Sequence, residues 1–292
     1  MNKIIVVTGG AGFVGSNLIE FLISKTNYNI ISLDNYSTGT KKNHLQDKRI
    51  KYIRGNTVEI QKLLCKYKNK IIVIFHFGEF SRIHQSFLNK KDCFDSNLSG
   101  SLQVFLFAIE NKIKVIYSAT SASLGNRGND ENLSPYAFTK SKNLKLLIQL
   151  KKWFNLSYEA LYFYNVYGPR QIDSGPMATV IGIFQKQFSN KQPLTVVKPG
   201  TQTRKFTHVK DTVEGCYYAW KKNMNRHYAI SNAISYSILN IASIFGSKIK
   251  FIKAKLGERY SSAAVSKIGD IKIFKIKCSK NLKSYIEEYK KK

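Results

Sequence analysis

The chain has 292 residues, 43% of them hydrophobic, and is therefore long enough to bury a large core. No apolar run reaches membrane-spanning length, and the run at residues 4–7 is too short for a signal peptide, so we expect a cytoplasmic protein with no membrane partner. The four cysteines are scattered without CxxC spacing, which indicates reduced thiols and argues against a metal site or a disulfide framework.

The formal net charge of +29 is of the size seen in nucleic-acid-binding proteins. The lysines, however, are spread over the whole chain, without a separate basic tail or an aromatic-interleaved RNA motif. Dispersed lysines are typical of a solvated surface, so we expect no specific nucleic-acid partner and rank nucleic-acid binding as the least favoured function. A basic surface would still steer anionic ligands toward the protein.

Three glycines at a three-residue period follow the first predicted strand, residues 3–7. This spacing is typical of a phosphate-binding turn: Gly9 permits a tight turn, Gly12 lets backbone N–H groups approach a pyrophosphate, and Gly15 lets the next helix pack closely on the sheet. The apolar residues between positions 13 and 23 predict that helix. Its N-terminus would face the anion.

The second predicted strand, residues 29–33, is followed directly by Asp34. Its distance from the glycines is that of a ribose-binding carboxylate in a dinucleotide site. Such a carboxylate accepts hydrogen bonds from the ribose hydroxyls and repels a 2′-phosphate, so the sequence favours NAD over NADP. The alternative interpretation is a turn residue before Asn35.

Strand-like runs alternate with helical runs through the first half of the chain. The predicted strands are residues 3–7, 29–33, 50–53, 71–75, 115–118 and 158–162. This alternation predicts an α/β fold, a Rossmann-type doubly wound parallel sheet with helices on both faces. Residues 1–165 would form the NAD-binding domain. Residues 166–292 would form a smaller mixed α/β substrate domain, partly interleaved with the first.

Residues 118–140 contain the predicted reaction chemistry. Tyr136 and Lys140 follow Ser134-Pro135, and a proline at a helix start would place these two side chains on one helical face. A neighbouring ammonium stabilises a phenolate and lowers the tyrosine pKa from about 10 toward neutrality, which makes the phenol a usable base. Thr120, at the end of the preceding strand, could hydrogen-bond the same substrate oxygen.

These motifs together resemble the extended short-chain dehydrogenases/reductases, and among them the NAD-dependent nucleotide-sugar epimerases of the UDP-glucose 4-epimerase type. The resemblance runs nearly from end to end of the chain. It includes residues 8–15, 34–39, 75–78, 97–101, 134–140, 164–169 and 200–209.

The resemblance implies a catalytic set of Thr120, Tyr136 and Lys140. It also implies an NAD site made of Gly9, Gly12, Phe13, Val14, Gly15, Asp34, Asn35, Ser37, Thr38, Gly39, Asn56, Thr57, Phe77, Gly78, Ser81, Asn97, Tyr136, Lys140 and Tyr164. Residues implied to hold the substrate are Arg82, Thr120, Asn165, Ala178, Thr179, Thr195, Val197, Arg204 and Lys255. For Arg204 the role has a physical reason, because a guanidinium fork suits phosphate oxygens.

Departures from the family pattern reduce the number of reactions that the resemblance allows. The family's 4,6-dehydratases place an Asp-Glu pair after the catalytic threonine, and its decarboxylases a glutamate two residues after it, whereas Ser121-Ala122 follow Thr120 here. The resemblance therefore implies oxidation and return at C4 of a UDP-sugar. UDP-glucose, UDP-N-acetylglucosamine and UDP-glucuronate all stay open as substrates, because a small Ser262 would admit an N-acetyl group and Arg82 could face a uronate.

Two alternative functions also stay open. One is a keto-sugar reductase or another extended short-chain enzyme, which Asp34 disfavours where NADPH is needed. The other is a protein that binds NAD and a nucleotide sugar without turnover, because Glu79, Arg82 and Tyr162 depart from the family pattern in the region expected to form the active site.

Relatives pair two long helices to form dimers, and the corresponding segments here are residues 97–110 and 136–153. Both contain apolar residues at helical spacing: Leu98, Leu102, Phe105, Leu106, Leu144, Leu147 and Leu150. We expect a homodimer, the alternative being that these residues only pack on the sheet.

Overall fold

The six predicted strands are all present in the structure, a computed structural model that describes residues 3–124, 132–253 and 266–291. Each of the six ends one or two residues later than predicted. The strands are β1 (Ile4–Thr8), β2 (Asn29–Asp34), β3 (Ile50–Arg54), β4 (Ile71–His76), β5 (Lys114–Thr120), β6 (Tyr158–Phe163), β7 (Val166–Tyr167), β8 (Leu194–Val197), β9 (Thr203–Lys205), β10 (Thr207–His208), β11 (His227–Ile230), β12 (Ser235–Ser237), β13 (Ile249–Ile252), β14 (Lys267–Ile268) and β15 (Ile271–Ile276).

The α-helices connect the parallel strands and build the smaller region. They are α1 (Phe13–Lys25), α2 (Ile60–Leu64), α3 (Ile83–Leu88), α4 (Lys90–Phe94), α5 (Ser101–Glu110), α6 (Pro135–Phe154), α7 (Val180–Ser189), α8 (Val209–Lys222), α9 (Ile238–Phe245) and α10 (Leu282–Lys290). A π-helical turn, Asp95–Gly100, joins α4 to α5. Among the described helices, none combines the length and apolar character that a membrane-spanning segment requires.

One large sheet organises the fold, with the strand order β14-β15-β11-β6-β5-β4-β1-β2-β3. All its neighbouring strands pair in parallel except the β14–β15 edge hairpin. The order 3-2-1-4-5-6 is that of a Rossmann fold, as predicted, and the direction of winding reverses between β1 and β4. Ligands of open parallel sheets bind at that reversal, outside the carboxyl ends of the strands.

Helices cover both faces of this sheet. On one face α2, α5 and α6 pack through fully or almost fully buried residues such as Leu64, Phe105 and Leu147. On the other face α1 and α8 pack through residues such as Leu18 and Val213. Burial on both sides explains why β1 and β4 are almost continuously apolar.

A smaller cluster lies beyond the large sheet, formed by α7, α9, α10 and the parallel β8–β13 pair. The chain then returns to the large sheet through β11 and β15, so that sheet takes strands from both halves of the sequence. All four cysteines are free thiols.

Candidate active site

A cavity of about 1200 Å³ opens at the carboxyl ends of β1, β2, β4, β5 and β6. Its position is the reversal point described above, where an α/β sheet offers a crevice. Predicted site residues in its wall are Gly9, Gly12, Phe13, Val14, Gly15, Asp34, Asn35, Ser37, Thr38, Asn56, Thr57, Phe77, Gly78, Ser81, Arg82, Thr120, Tyr136, Lys140, Asn165 and Thr179.

The glycine turn has the geometry of an anion cradle. Gly9 has a φ of 70°, and a Cβ on Gly15 would lie 2.1 Å from the carbonyl oxygen of Gly9, so neither position accepts a larger residue without movement. Helix α1 begins after Gly12 with no side-chain cap and no acidic residue in its first turn. Its N-terminal N–H groups and positive dipole end are therefore available to a phosphate in the cavity.

Asp34 is positioned by the same turn. Its Oδ2 accepts a hydrogen bond from Ala11 N at 2.9 Å and its Oδ1 one from Tyr36 N at 2.7 Å. Burial raises the pKa of this carboxyl above its usual value, while the backbone hydrogen bonds oppose the shift. Nearby, the Asn35 side chain donates to that of Asn56 at 2.8 Å, which joins the loops after β2 and β3 at one end of the cavity.

Thr120, Tyr136 and Lys140 all line the cavity. Ser134 caps α6 by accepting a hydrogen bond from Ala137 N at 3.1 Å, and Pro135 occupies the first turn, so Tyr136 and Lys140 lie one turn apart. The Thr120 hydroxyl, at the end of β5, accepts from Ala122 N at 3.2 Å and retains its own proton to donate.

Sequence reasoning did not foresee the partner of Lys140, which is Glu79. The two side chains form a salt bridge in which they are 4% and 2% exposed, respectively, and the Lys140 ammonium also donates to the carbonyl oxygen of Ser118. Burial lowers the pKa of Lys140, and Glu79 opposes that shift. The sequence did show that Glu79 is a carboxylate at a position where the family has a small residue, and that departure was the available sign of a special role.

Arg82 lies in the cavity wall, directly before α3. Its Nε donates to the carbonyl oxygen of Met177 at 2.8 Å, which ties the loop after β4 to the loop before α7. Burial lowers the pKa of the guanidinium, and the neighbouring Tyr136 opposes the shift. Arg82 and Tyr136 both line the cavity.

Several predicted site residues do not line the cavity: Gly39, Asn97, Tyr164, Ala178, Thr195, Val197 and Arg204. Asn97 is fully buried behind the wall, where it accepts from Phe80 N at 2.6 Å and donates to the Thr139 hydroxyl at 3.0 Å. In the structure Asn97 therefore braces the loop that contains Phe80 against α6, and its contact with the cofactor stays a prediction.

The remaining predicted substrate residues lie further along the chain. Arg204 is 8% exposed in β9 and donates to the carbonyl oxygen of Thr203 at 2.9 Å. Thr195 lies in β8, where its hydroxyl accepts from Gln187 at 2.9 Å. Lys255, together with Ser262, lies outside the described residues.

Tyr162 is a correction to the sequence analysis, which placed it near the active site. It is fully buried on the other side of β6, with its hydroxyl 3.2 Å from Nδ1 of His227, whereas its neighbour Phe163 lines the cavity. Successive strand residues point to opposite faces, which explains the difference. Of the three departures, only Glu79 and Arg82 lie in the cavity wall.

Comparisons with known proteins agree with this geometry. Residues 5–245 match the model of the NAD dependent epimerase/dehydratase family. An uncharacterized UDP-glucose epimerase of Bacillus subtilis, YtcB, is 33% identical over 230 residues, covering 72% of this chain and 70% of its own. A putative UDP-glucose 4-epimerase of Methanocaldococcus jannaschii is 30% identical over 234 residues, or 75% of each chain.

Among solved structures, a UDP-N-acetylglucosamine 4-epimerase of Methanobrevibacter ruminantium superposes with a TM-score of 0.85 at 26% identity, over 99% of this chain and 97% of its own. A UDP-glucuronic acid 4-epimerase of Bacillus cereus has a TM-score of 0.81 at 26% identity, over 90% of each chain. This chain belongs to the NAD dependent epimerase/dehydratase family, an extended short-chain dehydrogenase/reductase group, and its cofactor is NAD.

Proposed function

We propose that the protein is a UDP-sugar 4-epimerase that inverts C4 through a transient 4-keto sugar. The observation that supports this most directly is the composition of the wall beyond Thr120. Ser121 and Ala122 line the cavity, and neither has the carboxyl group that elimination or decarboxylation would need at that point. Thr120, Tyr136 and Lys140 are the groups required for oxidation and reduction at C4.

The glycine turn at Gly9, Gly12 and Gly15, together with Asp34, would hold NAD, which would supply a reversible hydride acceptor for C4. Tyr136 would remove the proton of the sugar 4-hydroxyl and later return it, and Thr120 would hold the same oxygen by donating its hydroxyl proton. Lys140 would contact the nicotinamide ribose and stabilise the phenolate of Tyr136. The sugar would turn over between the two transfers while its diphosphate stays bound.

The diphosphate needs a partner outside the sugar pocket. Of the predicted anchors, Asn165 and Thr179 line the cavity, and Asn165 is held by a 2.8 Å hydrogen bond to the carbonyl oxygen of Lys205. Arg204, in β9, does not line this cavity, and we assign it to the diphosphate because of the family resemblance and its guanidinium fork.

A panel of UDP-sugars, with C4 epimers detected by NMR, tests the proposal. Product should form without added NADH, because the hydride is returned in each turnover. Tyr136→Phe should keep NAD bound but abolish epimerisation, while Tyr218→Phe, on the exposed side of α8, should match the wild type. Near-wild-type turnover by Tyr136→Phe, or a stoichiometric need for NADPH, would contradict the assignment. NAD binding without turnover of any sugar would favour the non-catalytic alternative.

Arg82 is the residue by which we would separate the substrates. A guanidinium in the wall of the cavity that also contains Tyr136 suits a uronate carboxylate, whereas neutral sugars have no charge for it to bind. Arg82→Gln should therefore raise KM for UDP-glucuronate more than for UDP-glucose or UDP-N-acetylglucosamine. An equal rise in KM for all three substrates would indicate that Arg82 only connects two loops through its hydrogen bond to Met177.

We propose a homodimer, although most of the apolar residues of α5 and α6 that could form its interface are buried in the protein core. Phe105, Leu144, Leu147 and Leu150 are buried against the sheet, whereas Leu102 is 37% exposed on α5. Light scattering of the purified protein measures the oligomeric state directly. Four free thiols fit the reducing cytoplasm that we propose as its location.

A further inference from the structure

Glu79 is a buried carboxylate surrounded by hydrogen-bond donors. Its Oε1 accepts from the Ser101 hydroxyl at 2.9 Å, from the Tyr117 hydroxyl at 3.1 Å and from the Asn143 amide at 3.1 Å. Its side chain is 2% exposed. Neutral donors that converge on one carboxyl oxygen stabilise the ionised form, so the site is built for an anion.

The Lys140 ammonium lies against the other oxygen of this carboxylate. It also donates to the carbonyl oxygen of Ser118 and lies 4.5 Å from the centre of the Tyr117 ring. These contacts hold the nitrogen at the carboxyl end of β5, while the third N–H of an ammonium remains for another acceptor. A buried ammonium without its anion would be strongly disfavoured.

A chain of hydrogen bonds continues from Glu79 to the glycine-rich turn. Ser101 Oγ lies 2.9 Å from Nε2 of His76, and Nδ1 of His76 lies 2.8 Å from the hydroxyl of Thr8, the last residue of β1. The end of β1, the end of β4 and Lys140 are thus joined by one buried network that passes through Glu79.

We propose that Glu79 is a positioning residue of this active site, which keeps the Lys140 ammonium charged and fixed at the end of β5 and acts on the reacting groups only through Lys140. The inference rests on the proposed function, because the roles of Tyr136 and Lys140 are those given above. The inference gives a role to position 79 of the cavity wall, where this chain has an acid and the family pattern has a small residue.

Glu79 is the counter-ion of Lys140, because the other titratable groups His76, Cys93 and Tyr117 beside the ammonium are neutral. The groups that face the ammonium are Glu79 and His76 from β4 and its following loop, Tyr117 from β5, Cys93 from α4, and Tyr136 one turn away on α6. Burial lowers the pKa of His76 to about 4, raises that of Cys93 to about 11 and raises that of Tyr117 well above its usual value. Those three groups are neutral at physiological pH.

Acetylation of Lys140 by acetic anhydride, followed by mass spectrometry over a range of pH, tests the inference without substrate. Only the neutral amine reacts, so the pH at half-maximal rate reports the protonation of Lys140. In Glu79→Gln, which keeps the shape and removes the charge, this midpoint should fall by about 1 to 3 pH units. Glu79→Asp keeps the charge, so its midpoint should lie much closer to that of the wild type than to that of Glu79→Gln. In each variant the alkaline limb of the kcat/KM profile should move in the same direction as the midpoint.

Glu59→Gln is the matched control, because Glu59 is an exposed carboxylate in the wall of the same cavity. It should leave the Lys140 midpoint where it is in the wild type. An unchanged midpoint in Glu79→Gln, or equal midpoints in Glu79→Gln and Glu79→Asp, would overturn the inference.

The wild-type protein offers a test that needs no variant to fold. Its Lys140 should be mostly protonated at neutral pH, and a midpoint below neutrality would equally overturn the inference. Acetylation does not depend on turnover, so a protein that epimerises no sugar but shows the shift would contradict the proposed function and leave the role of Glu79 standing. A protein that epimerises a UDP-sugar but shows no change of the midpoint in Glu79→Gln would support the proposed function and contradict the role of Glu79.

Discussion

Nδ1 of His76 lies 2.8 Å from the hydroxyl of Thr8, so the ends of two adjacent central strands are joined by side chains as well as by the sheet. The imidazole is fully buried and its other nitrogen faces Ser101. A neutral ring fits this place, since one nitrogen donates and the other accepts. Burial accordingly lowers the pKa of His76 to about 4.

Acid should therefore destabilise the fold. His76 and His227 both have a pKa lowered to about 4 from 6.5, so the unfolded chain binds more protons than the folded one between these values. Stability from both residues is complete above pH 6.5 and is lost as the pH falls toward 4, on the order of 3 kcal/mol per histidine. Urea unfolding across this window measures the slope, and His227→Gln should reduce it by about one proton. A flat profile would contradict the prediction.

Gly15→Ala should damage the cofactor site through the backbone. The new Cβ would lie 2.1 Å from the carbonyl oxygen of Gly9, so the turn must move, at a cost of about 1 to 3 kcal/mol. Thermal denaturation and NAD titration should both show a loss. At Gly12 the same Cβ would lie 3.2 Å from that oxygen, so Gly12→Ala should keep the melting temperature much closer to the wild type. Equal melting temperatures for both variants would show that the turn adapts freely.

Asp34→Asn should weaken the discrimination between NAD and NADP. The amide has one oxygen, so it can accept from Ala11 N or from Tyr36 N but not from both, and it removes the negative charge that repels a 2′-phosphate. We expect the ratio of the two dissociation constants to fall by roughly tenfold, the effect of about 1.4 kcal/mol. Calorimetric titration with each dinucleotide measures it. A ratio equal to that of the wild type would remove Asp34 from cofactor selection.

Asn97→Ala should loosen the loop that contains Glu79 and Arg82. The variant loses the 2.6 Å hydrogen bond from Phe80 N and the 3.0 Å bond to Thr139, and a poorly solvated donor left unpaired costs about 1 to 3 kcal/mol. The free energy of unfolding should fall accordingly, with KM raised. Asn190→Ala, at an exposed position after α7, is the control and should change neither quantity.

The central strands could be predicted because buried parallel strands are continuous apolar runs. Their ends could not, because β1, β2 and β4 continue into the polar residues Thr8, Asp34 and His76, whose side chains belong to the site or its supporting network. The apolar pattern therefore ends before the strand does. The helical pairing of Tyr136 and Lys140 was also predictable, since it depends only on local spacing.

Contacts between distant segments could not be predicted from the residues alone. Glu79 and Lys140 are 61 positions apart, and their salt bridge depends on how α6 packs against the end of β4. Family resemblance led to the misplacement of Tyr162, although alternation along β6 separates it from Phe163. The motif that contains Asn97 did not predict its hydrogen bonds to Phe80 and Thr139, which lie 17 and 42 positions away.

The return of the chain to the large sheet has a consequence for synthesis on the ribosome. β6 pairs with β11, β11 pairs with β15, and α8 packs with α1 on one face of the sheet. When residue 165 has been made, β6 still has an open edge and α1 alone covers that face. The nascent cofactor half must therefore wait, with apolar surface exposed, until more than a hundred further residues have been added.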